Sequence, residues 1–94
     1  MSLRWSDGAR QDLADIAAYI GRDDRRAARR WIEKLRRRAQ LAATAPYGGR
    51  VVPEIGREEI REVFERTYRI VYTVVPGAII VLAVREGHQR LQIE

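Results

Sequence analysis

Tyr68-Arg69-Ile70-Val71-Tyr72-Thr73-Val74-Val75-Pro76-Gly77-Ala78-Ile79-Ile80-Val81-Leu82-Ala83-Val84 is the stretch on which the fold turns. It is dense in β-branched and aromatic side chains, which suit a pleated, half-buried surface, and Pro76-Gly77 cuts it once. The expected reading is a strand over 67–75, a tight turn, and a strand over 78–84. Working outward, Ile60–Glu65 has the same composition, with Arg66-Thr67 as the turn after it, so the three strands form an antiparallel meander. Residues 51–55 make an edge or irregular strand because Pro53 lacks a ladder donor. Residues 91–93 offer one more short edge pairing.

Before Pro46 the apolar period changes from two to that of a helix. Ser6 reads as an N-cap, and Ala9, Leu13, Ile16, Ala17 and Ile20 recur on one helical face, with Asp12 and Asp15 expected on the other side and Gly21 at the end. Asp24 caps a longer helix running to about Ala43, with Ala28, Trp31, Ile32, Leu35, Ala39 and Ala42 on its apolar stripe. Arg22, Arg25, Arg26, Arg29, Arg36 and Arg37 lie around the opposite side, and Glu33 is four residues from both Arg29 and Arg37, a spacing that supports ion pairs. Alanine-rich stripes let two such helices approach closely as an antiparallel hairpin. The expected architecture is α+β in a single domain over residues 1–94. A short N-terminal strand at 3–5 precedes a helical hairpin packed on one face of a C-terminal antiparallel sheet of three to four strands.

Composition narrows the function classes. The formal net charge is +5, from 18 basic and 13 acidic residues, and Lys34 is the only basic residue that is not arginine. The excess sits in the second helix, because from Pro46 onward arginines 50, 57, 61, 66, 69, 85 and 90 are matched by glutamates 54, 58, 59, 62, 65, 86 and 94. The absence of cysteine excludes disulfides and thiolate metal sites, and the single histidine is too few for a zinc site. Neither a metal nor an organic cofactor is expected. With no apolar run of bilayer length and no leader-like start, the expectation is a cytoplasmic protein with no membrane partner.

Candidate functional residues follow from the arginines. Strand alternation sends Tyr68, Ile70 and Tyr72 to one face and Arg69, Val71 and Thr73 to the other, which is expected to face away from the helices as an open platform. Arg61 with Val63, and Arg85 with Val81 and Ala83, are expected on the platform if the register permits. An arginine fork there matches an anion or partner; the competing reading is an ion pair with Glu62 or Glu65. His88, with Glu86, Arg85 and Arg90, is the one place with acid-base variety, and Glu54, Arg69, Arg85 and His88 make a set able to cleave RNA on paper; the plain reading is a surface histidine. The arginine face of the second helix is a solvated surface, an acidic-partner dock or a phosphate footprint. Tyr47, Tyr68, Tyr72 and Phe64 are stacking surfaces or core-edge residues.

The chain resembles the RelE/ParE superfamily of toxins from bacterial type II toxin-antitoxin modules. The resemblance is carried by Trp5-Ser6, Asp12-Leu13-Ala14-Asp15-Ile16, Tyr19-Ile20, Pro46-Tyr47-Gly48-Gly49-Arg50, Ile60-Arg61-Glu62-Val63, Tyr68-Arg69-Ile70-Val71-Tyr72 and Val84-Arg85-Glu86-Gly87-His88, in order along nearly the whole chain. It implies a domain that inhibits growth when free and is neutralised by a cognate antitoxin, whose C-terminal segment wraps around it. In RelE-like members, ribosome-dependent endonucleases that cut messenger RNA, an arginine matches Arg69, and in YoeB-like members a catalytic carboxylate lies near Glu54. The paired lysines of RelE are missing here, where Ile60 and Glu62 stand nearby, as is the C-terminal catalytic tyrosine, for which His88 is a loose substitute. ParE-like members keep a long hairpin, lack the nuclease set and poison DNA gyrase without being enzymes. The departures favour this branch, in which Arg61, Arg69, Tyr72, Arg85 and Arg90 would be contact residues. A non-toxic nucleic-acid-binding module or an inactive homologue is the remaining alternative.

Overall fold

The computed structural model describes residues 1–87 and 91. Its elements are β1 (Ser2–Trp5), α1 (Asp7–Gly21), α2 (Arg25–Thr44), a 3-10 turn at Pro46–Gly48, β2 (Arg50–Val51), β3 (Ile60–Glu65), β4 (Tyr68–Val75) and β5 (Ala78–Glu86). They build one sheet in the order β1-β5-β4-β3-β2. The four later strands pair antiparallel, as expected, and β1 adds a fifth at the edge, parallel to β5. Arg66 and Gly77 take φ of 54° and 76° in the two turns of the meander, a left-handed geometry that glycine adopts without strain.

Both helix starts are capped by the residues that their chemistry suggests. Ser6 Oγ accepts from the Ala9 amide at 3.1 Å, and Asp24 Oδ1 accepts from the Ala27 amide at 3.0 Å. The hairpin covers one sheet face, where Ala9, Leu13, Leu35, Ala39 and Ala42 pack on Val63, Ile70, Tyr72, Ile79, Val81 and Val84. No helix among the described residues is long and apolar enough to cross a membrane.

Several expectations are corrected. Residues 51–55 do not form a strand beyond Val51; the chain turns at 53–55 instead, and Val52 and Ile55 fold onto the far side of the sheet. There they join Ile60, Val71, Ala83 and Leu91 in a second apolar cluster, so that side is not bare. β4 begins at Tyr68, Thr67 belonging to the turn, and β5 continues to Glu86. Asp12 is not on an outer face: it is buried against β5. The expected ion pairs of Glu33 with Arg29 and Arg37 are not among those formed by the described residues. The edge pairing expected at 91–93 falls mostly outside the described residues.

Candidate functional site

Register decides which arginines can act together. Arg69 lies opposite Phe64 on β3 and Arg85 on β5, while Arg61 lies opposite Tyr72, a core residue beneath the helices. Partners across a ladder share a face, so Arg61 is on the helix side: the register does not permit it to join Arg69. On β5, Val71 pairs with Ala83 and Tyr72 with Val81, leaving Leu82 as an extra residue. This bulge separates Val81, on the helix face, from Ala83 and Arg85, on the face of Arg69.

Arg69 is only 5% exposed. Its Nε donates to Glu62 Oε1 at 2.7 Å, and its Nη1 and Nη2 donate to Glu54 Oε2 and Oε1 at 2.7 and 3.0 Å. The Glu62 side chain is completely buried, and its second oxygen accepts from Arg50 Nε, directly across the β2–β3 ladder. Arg50 in turn lies 5.2 Å over the Phe64 ring. Two arginines and two glutamates therefore form a neutral chain, Arg50-Glu62-Arg69-Glu54, in which a buried charge is matched at each step. The hydrogen bonds from Arg69 are the main cause holding the Glu54 carboxyl below its ordinary range, and Glu54 raises the guanidinium in return. The expected open platform is thus closed at its centre: the ion-pair reading with Glu62 holds, extended by Glu54.

Arg61 is also committed internally. Its guanidinium donates to the Gly49 carbonyl at 3.0 Å and the Glu58 carbonyl at 2.8 Å, pairs with the Glu58 carboxylate and sits 5.0 Å over the Tyr47 ring. It pins the 46–49 loop to β3. Tyr72 is fully buried and its hydroxyl donates to the Pro46 carbonyl at 2.6 Å, with burial pushing the phenol up. Tyr68 meets Trp31 edge to face at 5.5 Å between ring centres, and burial raises its phenol too. Arg85 reaches Asp12 at 3.4 Å. Asp12 Oδ2 accepts from the buried Val84 amide at 2.9 Å, taking the place of a strand where β5 runs past the end of β1. His88 and Arg90 lie outside the described residues. Of the set imagined for RNA cleavage, the structure brings Glu54 and Arg69 together as an ion pair and joins Arg85 to α1.

The sequence offered Glu62 only as one of two partners for Arg69; its place as the buried hub depends on β2 register. The signal available was an Arg-Glu-Val triplet at 61–63 in a strand otherwise fit for a core.

The hairpin carries the other feature. Where α1 ends and α2 begins, a groove of 580 Å³ has a floor of Ala17, Ala18, Ala28 and Ile32 and a rim that includes Arg22, Arg25, Arg29 and Arg36. Among the described residues, no group of three or more histidines or carboxylates is placed to hold a metal ion.

A family model described as the ParE toxin of the type II toxin-antitoxin system parDE matches residues 3–91. Among solved structures the chain is similar to one described as the chromosomal ParDE TA system from P. aeruginosa. The identity is 20%, with 92% of this chain and 95% of that chain covered and a TM-score of 0.75. A likeness at this identity concerns the fold. A search of curated proteins finds no match.

Proposed function

The chain belongs to the ParE toxin family of type II toxin-antitoxin systems, and from that premise we propose that it arrests growth by acting on DNA gyrase and is held inactive by a cognate antitoxin. The observation that carries the choice of target is the bidentate Arg69–Glu54 pair, closed on its inner side by Glu62. A phosphate clamp must present free donors, and a general base must be free to take a proton. Here the donors of the one and the carboxylate of the other are matched to each other. The domain then acts by contact, as a gyrase poison does, and it needs no chemistry of its own.

The groove between α1 and α2 supports the antitoxin half of the reading. Its apolar floor suits small apolar side chains, and its arginine rim suits carboxylates flanking them on one amphipathic segment. Induction in cells with labelled precursors tests the target. DNA synthesis should stop first, with broken chromosomes, while messenger RNA stays intact; an initial fall in protein synthesis with cut messages would reverse the choice. Growth restored by co-production of the neighbouring small gene is the matching result for the antitoxin.

A further inference from the structure

The outer face of α2 carries a positive charge that no ion pair among the described residues balances. On the sheet, arginines find carboxylates: Arg50 with Glu62, Arg57 with Glu59, Arg61 with Glu58, Arg69 with Glu54 and Glu62. On α2, exposed Arg26, Arg30, Lys34 and Arg37 form no ion pair among the described residues. At 100° per residue these four fall within about 80° of the helix circumference, opposite buried Leu35 and Ala39. They extend over roughly 16 Å of helix axis at 1.5 Å per residue.

We propose that this stripe is a contact surface for the phosphate backbone of duplex DNA, through Arg26, Arg30, Lys34 and Arg37. Charge complementarity calls for a polyanion, and the make-up of the face selects which. An acidic amphipathic peptide needs apolar side chains to pack against, and those floor the adjoining groove at Ala17, Ala18, Ala28 and Ile32, which shares only Arg29 and Glu33 with the outer stripe's hollow. The hollow along the outer stripe is lined by charged residues alone: Arg26, Arg29, Arg30, Glu33, Lys34 and Arg37. Single-stranded nucleic acid is held largely by aromatic side chains on which bases stack, and none lies in this stripe. Between duplexes, the B-form major groove is wide enough to admit a helix, whereas the A-form groove is deep and narrow. Donors directed at phosphate oxygens position a protein on the duplex without reading its sequence. It stands apart from the choice of gyrase as target.

Fluorescence anisotropy of the purified full chain on a random-sequence 24-base-pair duplex, over a series of salt concentrations, tests this. Four phosphates neutralised give a slope of log K on log salt of about −3.6. Arg30→Ala/Arg37→Ala should make it shallower by about 1.8. Arg4→Ala/Arg66→Ala removes the same net charge from exposed sites elsewhere and should leave the slope unchanged. Circular dichroism establishes that each variant is folded. Equal loss in both double variants would reduce the effect to net charge and overturn the proposal. So would tighter binding of an RNA duplex or polyglutamate, or no DNA binding at low salt.

Discussion

Arg69 and Glu54 face each other through two hydrogen bonds, 2.7 and 3.0 Å long, and the same guanidinium donates its Nε to buried Glu62. The pair fastens the turn after β2 to the middle of the sheet. It closes the far side where an open arginine platform was expected.

Breaking this chain of charges at one link leaves the others uncompensated. Arg69→Met should destabilise the fold by about 3 kcal/mol, because Glu62 stays buried with only Arg50 beside it. The double variant Arg69→Met/Glu62→Leu should be more stable than Arg69→Met alone, since the buried charge is gone. Chemical denaturation of the wild type, both single variants and the double variant gives the coupling. Strict additivity would show that the two side chains do not act as a unit.

Acid should loosen the outer link. Glu54 titrates below its usual 4.5 because Arg69 hydrogen-bonds its charged form. A carboxyl whose folded pKa is depressed adds stability above its unfolded pKa and loses it as pH falls through the folded value. Wild type should therefore exceed Glu54→Gln in stability at neutral pH, with the difference shrinking below about pH 4.5. Thermal melts of both proteins from pH 7 to pH 3 measure this, and a constant difference would contradict it.

The loop at 46–49 depends on one missing side chain. A Cβ at Gly49 would lie 2.5 Å from the Tyr72 hydroxyl oxygen and 2.8 Å from the Glu62 carbonyl oxygen, whereas at Gly48 it would meet Ala45 Cβ at an ordinary 3.5 Å. Gly49→Ala should destabilise by about 2–3 kcal/mol and Gly48→Ala by less than about 0.5 kcal/mol, read from denaturation midpoints. Equal effects would mean that the loop is not clamped against Tyr72.

Asp12 substitutes for a strand at the uncovered part of β5. Asp12→Ala leaves the buried Val84 amide without its acceptor and should destabilise by about 1–3 kcal/mol. Asp12→Asn keeps an oxygen in place and should retain most of that stability, with faster amide exchange at Val84 confined to the alanine variant. Exchange unchanged in both would remove Asp12 from the edge.

What was legible in the sequence was what local chemistry determines. Ser6 and Asp24 act as caps through their own side chains, Pro76-Gly77 turns the chain by its own geometry, and alternation placed Arg69 opposite Tyr68 and Ile70. Features that depend on register or on distant chain were not legible. Arg61 was expected beside Arg69 only if the register permitted, and β3 alone says nothing of its alignment with Tyr72. The Leu82 bulge broke an alternation that joined Val81 to Arg85. Asp12 stands at a polar position on α1, and only the end of β1, four residue pairs along β5, explains its burial.

The choice of target is decided by supercoiling with purified gyrase in the presence of the purified chain, run beside cleavage mapping of ribosome-bound messenger RNA. Supercoiling should be lost, with accumulation of cleaved DNA and an uncut message. Codon-phased cuts in the message with supercoiling untouched would contradict that choice.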